Sequence, residues 1–154
     1  MGEQIIMDYK NPNDVIVRTT VLYGGHKPDF VSAIMDKYKR GNRFGVTQSL
    51  SGSPTHVSHL ADALIELCYR DQAPMVINIA GADVLSRYDF AIMIGNAFGY
   101  DVNLCIPTKD ENGSGIRRPR KAGLKVDLAK KIGLPIYSVI DGLRLMQGEN
   151  KNEN

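Results

Sequence analysis

Residues 14–21 read Asp-Val-Ile-Val-Arg-Thr-Thr-Val, a run dominated by β-branched side chains with no regular polar–apolar alternation. Such side chains are stiff at χ1 and pack well on a pleated surface, so the run predicts a strand. The missing alternation predicts a strand covered on both faces, the condition of a parallel sheet. Parallel strands are joined only by long crossovers, so helices must flank this one. Gly24-Gly25 ends it. On its own such a strand exposes an edge and an apolar face, and self-association through it or through the first helix is expected.

The helices are legible on either side. Residues 3–9 read as a short helix that Asn11-Pro12-Asn13 breaks. Pro28-Asp29 opens a second, with Phe30, Val31, Ile34, Met35 and Tyr38 as its apolar stripe and Gly41-Asn42 as its stop. A short strand over 43–47 and a small-residue loop over 49–53 lead to Pro54-Thr55. Val57, Leu60, Ala61, Leu64, Ile65 and Cys68 recur at helical spacing, which predicts a helix over 57–70 with Cys68 as a buried thiol. Residues 75–80 form a short buried strand closed by Gly81. Ser86 and Asp89 have capping-box spacing before a helix that buries Phe90, Met93, Ile94, Ala97 and Phe98 and ends at Gly99. Residues 103–107 are expected to be extended, and 108–117, with Gly113 and Gly115, to be a mobile loop. Asp127 is the expected cap of a short helix ended by Gly133. Ser138 and Asp141 repeat the capping-box spacing before a last helix through Met146, and a polar tail over 148–154 is expected to be disordered. The expected fold class is α/β, a small sheet flanked by helices, as one domain over 1–147.

Composition narrows the function classes. A chain of 154 residues with 43% hydrophobic content can bury its own core. A net charge of +2 gives no electrostatic footprint for nucleic acid. No apolar run approaches the ~20 residues that span a bilayer, so no membrane partner is expected. Met1-Gly2-Glu3-Gln4-Ile5-Ile6 has no basic start and does not read as a signal peptide. Cys68 and Cys105 form neither a disulfide framework nor a zinc motif, which points to a reducing, cytoplasmic compartment.

The residues of a self-contained enzyme are not found. Of His26, His56 and His59, the last two stand three apart at a helix start, but no third ligand follows, so a capping or surface role is expected and no metal site. No Gly-x-Gly-x-x-Gly opens a helix after a strand, so autonomous dinucleotide binding is not expected. Tyr23 and Lys27 have Tyr-x-x-x-Lys spacing, but Gly24-Gly25 between them prevents their alignment on one helical face. Ser49, Ser51 and Ser53 have no matching base and acid. Two segments are more suggestive. Gly52-Ser53-Pro54-Thr55 is either a plain N-cap loop or a turn whose backbone approaches a ligand while its hydroxyls, from Ser53 and Thr55, bind phosphate or sugar. Arg117-Arg118-Pro119-Arg120-Lys121 is either a solvated run or a guanidinium clamp for a diphosphate.

Four segments, in this order, resemble the extended short-chain dehydrogenase/reductases, and within them the dTDP-4-dehydrorhamnose reductase group. They are Val15 to Gly24; Gly52-Ser53-Pro54-Thr55 with Leu60-Ala61; Asn78-Ile79-Ala80-Gly81 with Leu85 to Ala91; and Arg118-Pro119 with Gly123 to Asp127. The resemblance covers about 2–146. It implies the C-terminal, substrate-binding portion of a Rossmann-like fold, with 14–21 as the last Rossmann-type strand. It implies an NADPH-dependent reductase of 4-keto nucleotide sugars whose glycine-rich cofactor loop and catalytic Tyr and Lys belong upstream of residue 1. The chain is then incomplete as an enzyme, has no catalytic residue of its own, and does not bind NADPH alone. Thr19, Thr20 and Val21 would line the nicotinamide side, Tyr23 would lie near sugar or cofactor, and Arg118 would contact the diphosphate. Implied partners are a nucleotide sugar, a complementary Rossmann half, or a second copy of the chain. Gln48, Ser49 and Leu50 depart from the acidic and amide residues usual there, and His59 from a common acidic one. The alternative is a non-catalytic interaction module, resembling the regulatory subunit of methionine adenosyltransferase.

Overall fold

The computed structural model describes residues 2–9, 11, 13–25, 28–109 and 119–152. In chain order the elements are α1 (Gly2–Tyr9), β1 (Ile16–Arg18), β2 (Leu22–Tyr23), α2 (Phe30–Lys39), β3 (Phe44–Thr47), β4 (Ser51–Gly52), β5 (Thr55–His56) and α3 (Val57–Cys68). They continue with β6 (Val76–Asn78), β7 (Leu85–Ser86), α4 (Arg87–Phe98), a 3-10 turn (Val102–Leu104), β8 (Cys105–Thr108), β9 (Lys121–Ala122), α5 (Asp127–Lys131) and α6 (Val139–Asn152). The class is α/β, as the sequence leads one to expect, but the strands are short and fall into four small sheets.

β1 is parallel, with Ile16 opposite Val76 and Arg18 opposite Asn78 in β6. It has three residues rather than the eight of the sequence run. The chain leaves the sheet because Val21 adopts a left-handed φ of 43° and redirects it into β2, which pairs in parallel with β5. Among the described residues, cover on both faces is not found. Val15 and Val17 pack on a cluster of Ala63, Leu67, Ile77, Ile79, Ala129 and Leu134, while Arg18 and Thr19 are exposed. α1 buries no residue and is tied to β1 by an exposed Glu3–Arg18 ion pair at 2.5 Å.

A second core joins α2, α4, α6 and the parallel β3–β8 pair through Tyr23, Val31, Ile34, Tyr38, Phe90 and Ile94, with Val139 and Leu143 closing it from α6. Its helices begin at side-chain caps. Asp29 and Ser32 form one at α2, Ser86 accepts from the Asp89 amide at α4, and Asp141 accepts from the Ser138 amide at α6. Gly99 ends α4 in the left-handed conformation, φ 72°.

Three expectations are corrected here. In α3 the buried residues are Ala63 and Leu67, whereas Leu64, Ile65 and Cys68 are exposed, so Cys68 is a surface thiol. The apolar stripe is wider than the contact with α5 and β6, and its outer half has no cover among the described residues. Asp127 is the first helical residue of α5, whose N-cap Val126 makes no side-chain bond. α6 continues to Asn152, past Met146, where a tail was expected. One exposed glycine, Gly148, costs only ~1 kcal/mol in a helix and does not end it.

A Cβ on Gly81 would lie 2.0 Å from the carbonyl oxygen of Pro54, whereas one on Gly148 meets nothing within 4 Å. Gly81→Ala is therefore expected to lower the unfolding free energy in urea by about 1–3 kcal/mol. Gly148→Ala is expected to raise it by about 0.5–1 kcal/mol, and no gain there would mean that α6 stops short of this position.

Candidate functional site

β4 is the middle strand of a three-stranded sheet and gathers three segments that are distant in sequence. Ser51 and Gly52 pair with Ser86 and Leu85 on one side and with Lys121 and Ala122 on the other. Between them, Val21 and α2 lies a cleft of about 220 Å³, walled mainly by Val21, Phe30, Leu50, Pro54, Leu85, Phe90 and Pro119. Gly52 lets the walls meet, since a Cβ there would lie 3.0 Å from Val21 Cγ2. A β-branched residue with left-handed φ stores roughly 1–3 kcal/mol of strain. Val21 is kept there by its carbonyl, which accepts the Thr55 amide at 3.0 Å, and its side chain stays 44% exposed in the wall.

The hydroxyls singled out from sequence turn inward instead. Thr55 is 3% exposed. Its Oγ1 lies 3.1 Å from the Thr20 carbonyl and 3.0 Å from that of Ser53, sharing one proton between them, and it accepts the Gly81 amide at 2.9 Å. Ser53 is fully buried and accepts the Leu124 amide at 3.1 Å. Tyr23, 1% exposed, donates to the Val139 carbonyl at 3.1 Å and packs edge-on against His56 and Phe90. Burial pushes its hydroxyl well above the ordinary tyrosine range, with Asp83, Asp141 and Asp29 adding to the effect. The expected direct side-chain contacts of Tyr23, Ser53 and Thr55 with a ligand thus give way to bonds that build the cleft wall.

Thr19 is exposed and Thr20 half-buried, and both precede Val21 at the C-terminal end of β1. Lys27, Arg117, Arg118 and most of the glycine-bearing loop lie outside the described residues. Arg120 and Lys121 are exposed, and the Arg120 carbonyl accepts the Ser51 amide at 2.9 Å. His56 caps α3, Nδ1 accepting the Ser58 amide at 3.3 Å, but it is buried rather than superficial. His59 stacks on Tyr137 with ring centres 3.9 Å apart. Burial holds its pKa below the ordinary value, opposed by Asp62 and Asp141. Among the described residues no group of three His, Cys, Asp or Glu is placed to hold a metal.

Sequence reasoning misses Phe30, Leu50 and Arg87 as cleft residues. The half-buried Arg87 places its guanidinium over the Phe30 ring at 5.9 Å, and its amide donates to the Leu50 carbonyl at 3.0 Å. Its only local signal is a capping-box segment, which speaks for a helix start and not for a ligand. Among the polar side chains of the wall, Ser51 donates to the Arg120 carbonyl at 3.3 Å and Ser86 to Asp89 at 2.6 Å. The arrangement can hold a ligand by apolar contact and backbone groups.

A family model described as RmlD substrate binding domain matches residues 1–146. The chain is 31% identical over 122 residues to a dTDP-4-dehydrorhamnose reductase of Mycolicibacterium smegmatis, covering 79% of this chain and 36% of that protein. It is 30% identical over 134 residues to a dTDP-4-keto-6-deoxy-D-glucose reductase of Streptomyces niveus, covering 86% and 46%. The crystal structure of a Bacillus anthracis dTDP-4-dehydrorhamnose reductase in complex with NADP superposes with a TM-score of 0.79 at 26% identity, over 92% of this chain and 50% of that one. The chain thus spans half or less of the length of these relatives.

Thr55→Val keeps the shape of the side chain but strands the Gly81 amide. It is expected to cost about 1–3 kcal/mol in equilibrium unfolding, a loss that a hydroxyl serving only a ligand would not cause. A second expectation concerns pH. With the folded pKa of His59 below the unfolded value near 6.5, the unfolded chain takes up more protons as pH falls through that value. Stability present above pH ~6.5 is then lost toward the folded pKa. The melting temperature should fall more between pH 7.5 and 5.5 in the wild type than in His59→Gln, and equal falls would show that burial does not act on this ring.

Proposed function

The chain belongs to the RmlD substrate-binding domain family, and we propose that it is the part of an NADPH-dependent reductase that holds a 4-keto nucleotide sugar. The observation that carries this reading is the cleft around β4. It lies at the C-terminal end of β1, the place where open α/β sheets receive ligands, and its apolar walls suit the C–H faces of a sugar ring or a base. Tyr23, Ser53 and Thr55 serve it as framework, fixing the backbone whose surface the ligand meets.

The residues present fit only one end of a dinucleotide. Thr19, Thr20 and Val21 stand exposed or half-exposed at the end of β1 and suit the nicotinamide side. The sequence has no glycine-rich strand-to-helix turn that would cradle a pyrophosphate. Hydride chemistry would come from the cofactor when it is bound to a complementary Rossmann half. That half, or a second copy of this chain, would meet the open edge of β1 and the exposed Ile5, Ile6 and Tyr9 of α1. Among the described residues no helix is long and apolar enough to cross a membrane. The reading as an interaction module is not favoured, since the family model and the reductases above cover most of the chain.

Calorimetric titration with dTDP-rhamnose, other nucleotide sugars and NADPH in parallel tests the proposal. The expected result is binding of a nucleotide sugar, and Ala122→Phe, which fills the cleft, should weaken it by about tenfold or more. Silence toward every nucleotide sugar, also with the complementary Rossmann half of a relative supplied, would overturn it.

A further inference from the structure

Among the described residues Val21 is the only one other than glycine with a positive φ, 43°. The other left-handed positions described are Gly24, Gly41, Gly99 and Gly133. In this conformation Cβ crowds a main-chain carbonyl oxygen, and a branched Cβ crowds it most. The backbone turn itself has a cause in the fold. Thr55 holds the carbonyls of both Thr20 and Val21, and the next residue, Leu22, pairs with Thr55 across the β2–β5 ladder. That constraint asks for a left-handed residue at 21, and glycine meets it without strain. The packing does not ask for valine. Its side chain belongs to neither core and stays 44% exposed. What the isopropyl group does serve is the cleft, in whose wall it stands beside Gly52, where a Cβ would come within 3.0 Å of Val21 Cγ2.

We infer that valine is kept at position 21 for the ligand, as the residue of this cleft that determines which sugar fits. The inference rests on the function proposed above and deepens it. Backbone strain without a folding gain persists at binding and catalytic sites, where the surrounding structure over-determines it. Hydride passes between nicotinamide and sugar, so the wall next to Thr19 and Thr20, which suit the nicotinamide side, is the wall that meets the sugar. A β-branched side chain has few rotamers, and Thr55 fixes the backbone beneath it. The isopropyl group is therefore a rigid apolar surface that is set before the ligand arrives, and little side-chain entropy is lost on binding. Such a surface selects by shape: a substituent that overlaps the methyl groups is refused, and one that fills the space against them is held. Folding and binding then act on position 21 in opposite directions.

The test measures melting temperature and calorimetric affinity for dTDP-rhamnose and the bulkier dTDP-glucose in the full chain, with and without the complementary Rossmann half of a relative. Val21→Gly should melt roughly 2–4 °C higher, since relief of the left-handed strain outweighs the added freedom of the unfolded chain. It should bind dTDP-rhamnose about tenfold more weakly. Val21→Ala retains a Cβ and most of the strain, so its melting temperature should move less while its affinity falls by a similar factor. That variant separates the lost methyl groups from the added backbone freedom of glycine. In both variants the ratio of affinities should shift toward dTDP-glucose by about threefold or more. A Val21→Gly chain that melts below the wild type would show that the fold needs the isopropyl group and would overturn the inference. The two readings can fail separately. Wild-type binding of dTDP-rhamnose that Val21→Ala retains in affinity and selectivity keeps the function and removes the role of Val21. A wild-type chain silent toward every nucleotide sugar removes the function, and with it the reason for valine.

Discussion

One buried hydroxyl organises the region on which everything else rests. Thr55 Oγ1 meets the Thr20 carbonyl, the Ser53 carbonyl and the Gly81 amide within 3.1 Å. These groups belong to the chain after β1, the turn before β5 and the exit from β6. The bonds to Ser53 and Gly81 are buried and that to Thr20 partly so, and backbone groups taken from water need a partner inside. With all three served by one side chain, the ends of two parallel strands are held against the turn that follows β4. Gly81 is part of the same constraint, because a Cβ there would lie 2.0 Å from the Pro54 carbonyl oxygen, far inside van der Waals contact. The left-handed Val21 follows from it, since Thr55 also holds the Val21 carbonyl through its amide.

Much of the fold was legible because helix signals are local. The pairs Ser86–Asp89 and Ser138–Asp141, and the stops at Gly99 and Gly133, act over three or four residues and stand where the sequence places them. The two-residue strands β2, β4, β5, β7 and β9 were not legible, because two residues carry no periodicity. The phase of α3 was misread for a related reason: a wide apolar stripe does not say which half meets the core, and Ala63 and Leu67 do so while Cys68 does not. At the site, sequence marks hydroxyls without showing what they bind. It shows that Ser53, Thr55 and Tyr23 have hydroxyls, but their partners at Leu124, Gly81 and Val139 are reached only through the fold. Arg87 was overlooked because its role depends on the Phe30 ring across the cleft.

The first helix shows where the chain's own packing stops. α1 has no buried residue, and its tie to β1 is an exposed ion pair that solvent screens. An eight-residue helix with so little support is marginal in water. Its exposed Ile5, Ile6 and Tyr9, with Leu64 and Ile65 on α3 and Tyr69 at its end, are surfaces that the other described residues do not cover.

The cleft has a property that follows from β4 as the middle of a tiny sheet. Its walls come from Val21, Leu50, the start of α4 and the segment from Pro119, four pieces joined chiefly by main-chain bonds. The scaffold is therefore blind to what these side chains are. Leu50 can change to an amide, or Arg87 to an aromatic ring, without breaking a single ladder bond. A lineage can retune what it recognises at the wall while the frame behind it, set by Thr55 and its three partners, stays as it is.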